Sequence, residues 1–504
     1  MTLSRMSRDS MRFSQALDEI DYAFSLNGST RTHSITQFLR ERFRNKELVL
    51  VACYGIRNLI LMQASLYLII TRKNSLENAD NIIVVGGGFG GVRATLDLAK
   101  RLPDDTKIIL ISDKPYFEYQ PSLYRIATSS PPFGVVVPLK DLFSKKRVEV
   151  IHDSIIGANL HEKILSGKSG EKYHFKSLVI ALGSEVNYHG IATIRDLTFS
   201  LKSAVDALRL NHHLKASSYA VKDEQGSKKI SLGHIVIVGG GSTGTELAGE
   251  LAIYMQELSR KYGFDPSYIT IDIIDSGRRL LKHLPVEISE RVERRLRNLG
   301  VNVFLNRKIV GEHIKEIYLK DMHLKTNTVI WSAGVSPNRI YSEIEGLSFS
   351  ENKRVLVDEF LQAKGQPDIF IIGDGAEAPY WGFAQTALHQ GRYVAELITN
   401  KTVGKKTAPY KPRKPSVAVP VGIGWAAVLF GPFKFYGRFG WWLRRLGNLR
   451  FFLSIFPFQK ALEIARSKVG LNSVEGLEKY LETSPLPEEI RTQTKDDVTL
   501  PKKF

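Results

Sequence analysis

The sequence predicts an α/β protein of two doubly wound parallel-sheet domains, the second inserted within the first, followed by a C-terminal module of different composition. Three observations carry this. An apolar strand beginning at Ile82 runs into a glycine-rich turn and a helical pattern, and the same succession begins again at Ile235. From Asn81 to about Asn400, short apolar runs alternate with helical periodicity in the βαβ manner. Beyond Asn400, Lys, Pro and aromatic residues take over. The expected divisions are an N-terminal extension (1–79), a first domain (80–200 and 340–400), an inserted domain (201–339) and the C-terminal module (401–504).

Composition narrows the chemistry. The 504 residues contain 70 Lys+Arg against 52 Asp+Glu, a formal charge of +18 that favours an anionic partner. A single cysteine, Cys53, excludes a disulfide framework, a CxxC redox pair and a cysteine-ligated zinc or iron-sulfur site, each of which needs at least two thiols. Redox chemistry would therefore come from a bound organic cofactor, and no metal site is expected. Hydrophobic content of 43% with 24% charged residues argues against a polytopic membrane protein.

The first 47 residues are polar and basic, lack a secretory signal pattern, and are expected to be poorly ordered. Leu48 to Ile70 is long enough to cross a bilayer but carries Arg57 and Asn58 near its middle. Its readings are a buried or interfacial helix, sequence upstream of a later start such as Met62, or a membrane span. Cys53 lies here, remote from every motif below.

The first motif is NIIVVGGGFGGVRATLDLAKRL, with Gly86, Gly88 and Gly91 after the strand. The first glycine permits a tight turn, the second lets backbone approach a pyrophosphate, and the third allows close helix-to-strand packing. The helix that follows offers free N–H groups and a positive dipole end to phosphates. A second strand, IILI, completes the Rossmann-like dinucleotide-binding unit. An acidic ribose partner is expected at the end of that strand, where Ser112 and Asp113 stand, and either can hydrogen-bond a ribose.

The polar stretch Lys215 to Lys229 reads as a surface excursion before the second motif. HIVIVGGGSTGTELAGELA then repeats the pattern with Gly239, Gly241 and Gly244. Its next strand, ITIDIID, ends at Asp275, placed to accept both ribose hydroxyls of an adenosine and to repel a 2′-phosphate. NADH is therefore favoured over NADPH, a preference that Arg278 and Arg279 can soften.

Two such motifs in one chain suggest electron transfer between two nucleotides. At this point the sequence resembles the two-dinucleotide-domain flavoproteins, the pyridine nucleotide-disulfide oxidoreductase-like family, over roughly 320 residues. LVIALGS (Leu178 to Ser184) and VIWSAGVSPN (Val329 to Asn338) look like its two crossover strands, and DIFIIGDGAEA looks like its late FAD motif. The resemblance implies that Gly373 lets backbone approach FAD and that Asp374 hydrogen-bonds the ribityl chain. The lone cysteine excludes the disulfide reductase and sulfide:quinone branches. AQTALHQG resembles the AQxAxQ-type motif of type II NADH:quinone oxidoreductases, single-subunit enzymes that pump no protons. That resemblance places Ala384 and Gln385 at a helix N-terminus facing the flavin, where the dipole favours negative charge. The motif's second glutamine aligns with His389, and Gln390 comes one residue later. His389 can hydrogen-bond a quinone carbonyl and donate a proton, or it is a helix-face histidine satisfied by a neighbouring carbonyl. The resemblance sets Glu246 near nicotinamide and flavin, in a catalytic or gating role, against a plain dipole-favouring role in the first helical turn. The aromatic segment Tyr116 to Thr128 is expected along the flavin.

The expected architecture is thus an NADH domain inserted in an FAD domain, plus a C-terminal amphipathic membrane-associating module. Between Pro432 and Lys468 there are eight Lys/Arg, one acid and ten aromatics. That mixture suits an anionic membrane surface, with Trp441 and Trp442 at the interface and Arg444, Arg445 and Arg450 snorkelling. A homodimer seam and single-stranded nucleic acid are the other readings, and no nucleic acid is expected. The function implied is NADH oxidation through FAD with a quinone as acceptor, peripherally on the cytoplasmic face of a membrane. Rivals are a reductase of a soluble electron-carrier protein and a slow-turnover flavin sensor resembling apoptosis-inducing factor.

Overall fold

A computed structural model describes residues 80–456, apart from 130–134, 145, 192–193, 314–315 and 320–322, together with Lys479. The Leu48 to Ile70 segment with Cys53 and Met62, and the C-terminal module beyond residue 456, lie outside the described residues.

In chain order, the first sheet takes β1 (Ile82–Val85), followed by helix α1 (Phe89–Arg101), β2 (Ile108–Ser112), the short helix α2 (Leu123–Ala127), β3 (Glu149–His152) and β4 (Ser177–Ile180). A second sheet then opens with β5 (Phe199–Ser200), helix α3 (Ala204–Asp223), β6 (His234–Val238), α4 (Ser242–Tyr262), β7 (Thr270–Ile274), α5 (Val286–Asn298), β8 (Val301–Phe304) and β9 (Thr328–Trp331). The chain returns to the first sheet with β10 (Ile369–Ile371) and continues into α6 (Ala384–Thr402).

The sheets run β10-β4-β1-β2-β3 and β5-β9-β6-β7-β8, every pairing parallel. Parallel strands covered on both faces must be apolar throughout. Accordingly the β-branched runs IIVV of β1 and IVIV of β6 are buried at every position. The edge strand β5 comes from residues 199 and 200, so the second sheet begins just before residue 201. Past β4 and β9 the two crossovers pair antiparallel, Ser184 opposite Pro337, where the chain passes between domains.

The C-terminal module holds a three-stranded antiparallel meander, β11 (Val417–Pro420), β12 (Ala426–Phe430) and β13 (Phe433–Phe435), and helix α7 (Gly437–Ile455). It is fused to the second domain: Val419, Val421 and Ala427 join the core around Leu247, Leu251 and Met255 of α4. Gly249 permits the contact, since a Cβ there would stand 2.6 Å from the Gly422 nitrogen. Helix α7 buries Gly440, Arg444, Phe452 and Ile455 on one face and exposes Phe439, Trp442, Leu446 and Leu453 on another. Arg444 corrects the expectation of three snorkelling arginines: Arg445 and Arg450 are exposed, but Arg444 is 7% exposed. Trp442 is likewise exposed, whereas Trp441 is half-buried.

Candidate active site

Two cradles of the same design stand at the C-terminal ends of β1 and β6. Gly86 (φ +110°) and Gly239 (φ +109°) make the turns. A Cβ on Gly86 would lie 2.3 Å from the Ala181 carbonyl oxygen, and one on Gly239 2.6 Å from that of Ser332. Each turn is therefore wedged against the small-residue end of a crossover strand. Gly91 and Gly244 pack back onto them, their notional Cβ atoms 1.9 Å and 2.0 Å from the carbonyl oxygens of Gly86 and Gly239. At Gly88 and Gly241, by contrast, a Cβ would meet no protein atom within 4 Å, so packing does not demand glycine there. Those two residues are the N-caps of α1 and α4, and neither helix has a side-chain cap. The first-turn N–H groups are left for an anion arriving from outside, as a dinucleotide pyrophosphate requires. Helix α3 shows the alternative, with a full capping box between Ser203 and Asp206.

The strand-end partners differ between the cradles. Asp275 accepts hydrogen bonds from the N–H of Gly240 and of Gly277, both at 2.6 Å, which aims its half-buried carboxylate at the glycine turn. The Arg279 guanidinium donates to the Leu284 carbonyl (2.7 Å), the Ser289 hydroxyl (2.6 Å) and the Lys282 carbonyl (2.6 Å). It is thereby committed to its own loop, which leaves Arg278 exposed beside Asp275. In the first cradle Ser112 is buried against Gly87, while Asp113 is exposed and its carbonyl pairs with His152.

Gly373 (φ +75°) donates its N–H to Gln390 Oε1 (2.7 Å), so the glutamine after His389 fixes this turn. Asp374 accepts from Ser184 (2.5 Å) and from the Gly382 N–H (3.1 Å). Lys202 donates to the same Ser184 hydroxyl at 2.9 Å, and burial pushes its ammonium below the usual lysine range against the pull of Asp374. Lys202 lies outside every sequence motif, and Ser184 was read only as the end of the first crossover strand, so sequence reasoning missed the part they play beside Asp374. Helix α6 opens at Ala384 with no side-chain cap. Thr386 in its first turn buries a hydroxyl that finds no protein partner, which fits a polar ligand edge.

Gln385 and His389 share a face of α6, which meets the segment entering β11. The Gln385 amide donates to the Ser416 carbonyl (2.9 Å) and accepts from the Ser416 N–H (3.1 Å). His389 Nδ1 lies 3.0 Å from the Tyr410 hydroxyl, and burial with Arg413 and Arg392 nearby favours the neutral ring. Glu246 has other neighbours. Its carboxyl is pushed up to about 8 by burial, opposed by Arg444 and reinforced by Glu250. Arg444 donates to the Tyr124 hydroxyl at 2.8 Å, and the Tyr119 hydroxyl donates to Asn448 at 3.0 Å. The aromatic segment Tyr116 to Thr128 thus packs against α7, with Phe451 4.7 Å from Tyr119 and 5.4 Å from Phe89 between ring centres.

Two parallel-sheet domains, each with an uncapped glycine cradle and joined by crossover strands, define a two-dinucleotide oxidoreductase. The chain belongs to the pyridine nucleotide-disulphide oxidoreductase family, whose pattern matches residues 80–391. It is 26% identical to the type II NADH:quinone oxidoreductase of Staphylococcus saprophyticus over 351 residues, 66% of this chain and 86% of that one. It is 28% identical to the type II NADH:quinone oxidoreductase Ndh of Mycobacterium tuberculosis over 391 residues, 72% of this chain and 82% of that one. NDH2 from Plasmodium falciparum, solved in complex with NADH, shares the fold with a TM-score of 0.70 at 17% identity, covering 77% of this chain and 97% of that one.

Proposed function

We propose that the protein is an FAD-dependent NADH:quinone oxidoreductase of the type II class, which passes electrons from NADH to a membrane quinone without pumping protons. The observation that carries this is the pair of uncapped cradles in one chain that has a single cysteine. The names of the relatives select the reaction within the family.

FAD, when bound, accepts a hydride equivalent from the nicotinamide and hands the electrons to quinone. The chain binds and orients. Gly86, Gly88 and Gly91 admit the FAD pyrophosphate, with Ser112 or Asp113 toward its ribose. Gly373 and Asp374, steadied by Ser184 and Lys202, meet the ribityl chain. The N-terminus of α6 at Ala384 and Gln385 favours negative charge on the pyrimidine. Gly239, Gly241, Gly244 and Asp275 hold NADH. Glu246, Gln385 and His389 serve the reaction zone, Glu246 as a carboxyl still protonated near neutral pH. For Gln385 to reach a quinone carbonyl, its amide must leave Ser416.

Membrane attachment is peripheral. No helix among the described residues is long and apolar enough to cross a membrane. Phe430, Phe433, Phe439 and Trp442 are each at least half exposed, beside exposed Arg438, Arg445 and Arg450. Aromatics of this size with cationic neighbours suit an anionic headgroup layer. The test is NADH oxidation by a short-chain quinone with and without phosphatidylglycerol liposomes, alongside liposome co-sedimentation. Rapid quinone turnover with lipid binding is expected. Turnover below about 0.1 per second, against roughly 10 for an ordinary enzyme, would favour a sensor.

A further inference from the structure

Lys202 stands where the chain enters the second domain, one residue before the cap of α3, and its backbone is fixed there. Its N–H and that of Ser203 donate to Asp206 Oδ2, at 3.1 Å and 3.0 Å. The N–H of Ala204 donates to Glu118 Oε1 at 2.8 Å, which ties the start of α3 to the aromatic segment of the first domain. From this fixed point the side chain reaches the first domain, and its ammonium donates to the Ser184 hydroxyl at 2.9 Å. An ammonium has donors only, so Ser184 accepts from Lys202 and gives its own hydrogen to Asp374 Oδ2, 2.5 Å away. The other carboxylate oxygen of Asp374 accepts the Gly382 N–H at 3.1 Å. The result is a directed row, Lys202 to Ser184 to Asp374, that ends in the turn between Gly373 and Gly375.

That row leaves donors over. Of the three N–H groups on the Lys202 ammonium, Ser184 takes one, and no other hydrogen-bond or ion-pair partner of that ammonium occurs among the described residues. Asp374, Glu118 and Asp206 draw the lysine toward its charged form, whereas burial and the neighbouring Lys114 oppose it. Lys114 is itself paired with Glu118 Oε2 at 2.6 Å. A half-buried cation with unused donors is costly unless something supplies acceptors. Its place beside Asp374 suits a ligand rich in oxygen.

We propose that Lys202 is a direct ligand of FAD: its remaining N–H groups donate to ribityl oxygens beside Asp374, and its positive charge favours the reduced flavin over the oxidised. A carboxylate beside the flavin would by itself disfavour the more electron-rich form. Lys202 offsets the negative charge that the Asp374 contact brings.

This inference rests on FAD lying in the first cradle, and it is tested on the whole flavin-loaded protein by two readouts other than turnover. The first is the rate at which the diluted holoenzyme releases FAD, followed by the rise in flavin fluorescence. The second is the midpoint potential of the bound flavin, measured by equilibration with a reference dye. Lys202→Met is expected to speed release of oxidised FAD at least tenfold. It is also expected to weaken binding of the reduced form by a further factor of ten, a fall of about 30 mV for a two-electron couple. Lys202→Arg keeps the charge and the donors and leaves the potential in place. Ser184→Ala breaks the row but spares the ammonium, so its potential falls by less than that of Lys202→Met. If Lys202→Met fails to fold, Lys202→Gln carries the same two expectations. An equal fall in Ser184→Ala overturns direct contact, since Lys202 would then act only by orienting Asp374. Unchanged release and potential in the Lys202 variant overturn its role altogether, whereas an unsubstituted protein that binds no FAD overturns the FAD reading itself.

Discussion

Asp275 shows how much one side chain determines. Its carboxylate receives two backbone N–H groups, one from the glycine turn and one from the turn that follows, which fixes it beside the second cradle, where the proposed function has it meet an adenosine ribose. Because Arg279 is spent on carbonyls of its own loop, a 2′-phosphate would find Arg278 but little else to balance the repulsion from Asp275. Asp275→Arg is expected to raise the KM for NADH at least tenfold and to shift the ratio of kcat/KM values toward NADPH; unchanged selectivity would remove Asp275 from the ribose site. The place of Asp275, at a strand end beside the glycine turn, was legible because it follows from local strand geometry. Arg444 was not, since its partner Tyr124 is 320 residues away and burial by α2 and α4 leaves no local trace. Lys202 and Asp374 meet only through Ser184, itself 190 residues from Asp374.

Helix N-termini carry the chemistry at the next scale. The chain caps α3 with Ser203 and Asp206 yet begins α1 and α4 on bare glycines, and this contrast is the sequence's signal for anion binding. Gly244→Ala drives a methyl into the Gly239 carbonyl. Built on the second cradle alone, it should give a yellow protein that retains FAD and is bleached by NADH at least a hundredfold more slowly. Gly91→Ala meets the same clash in the first cradle and should give a colourless protein. Absorbance at the flavin band distinguishes them, and equal flavin loss in both variants would refute the division of labour between cradles. Helix α6 was only partly legible. Its start at Ala384 was predicted, but the aligned His389 turns to Tyr410 while Gln390 holds Gly373, because the motif's residues fall on different faces of the helix.

At the scale of the whole molecule, the two sheets repeat the order of four strands, β4-β1-β2-β3 and β9-β6-β7-β8, and differ in the fifth, which comes last along the chain in the first sheet and first in the second; each cradle packs against the crossover strand of its own sheet. Strong β-branched runs before glycine turns made this frame readable. The C-terminal module was readable as aromatic and basic, but its packing was not: β11 and β12 complete the core beside α4. What remains outward is an aromatic row of Phe433, Phe439 and Trp442 linked by the half-buried Phe435, with successive ring centres 5.4 to 6.4 Å apart. Seating half of such a ring in lipid is worth about 2 kcal/mol at roughly 25 cal/mol per Å². The double substitution Phe439→Ser with Trp442→Ser should therefore weaken liposome binding at least tenfold without altering flavin content, and unchanged co-sedimentation would place the docking surface elsewhere. The central claim, one nucleotide delivering electrons through a second to quinone, is tested most directly by anaerobic stopped-flow of the purified yellow protein. Fast bleaching by NADH followed by fast recolouring with a short-chain quinone is the predicted result. Fast bleaching with recolouring slower than overall turnover, or recolouring only by a soluble carrier protein, would contradict it.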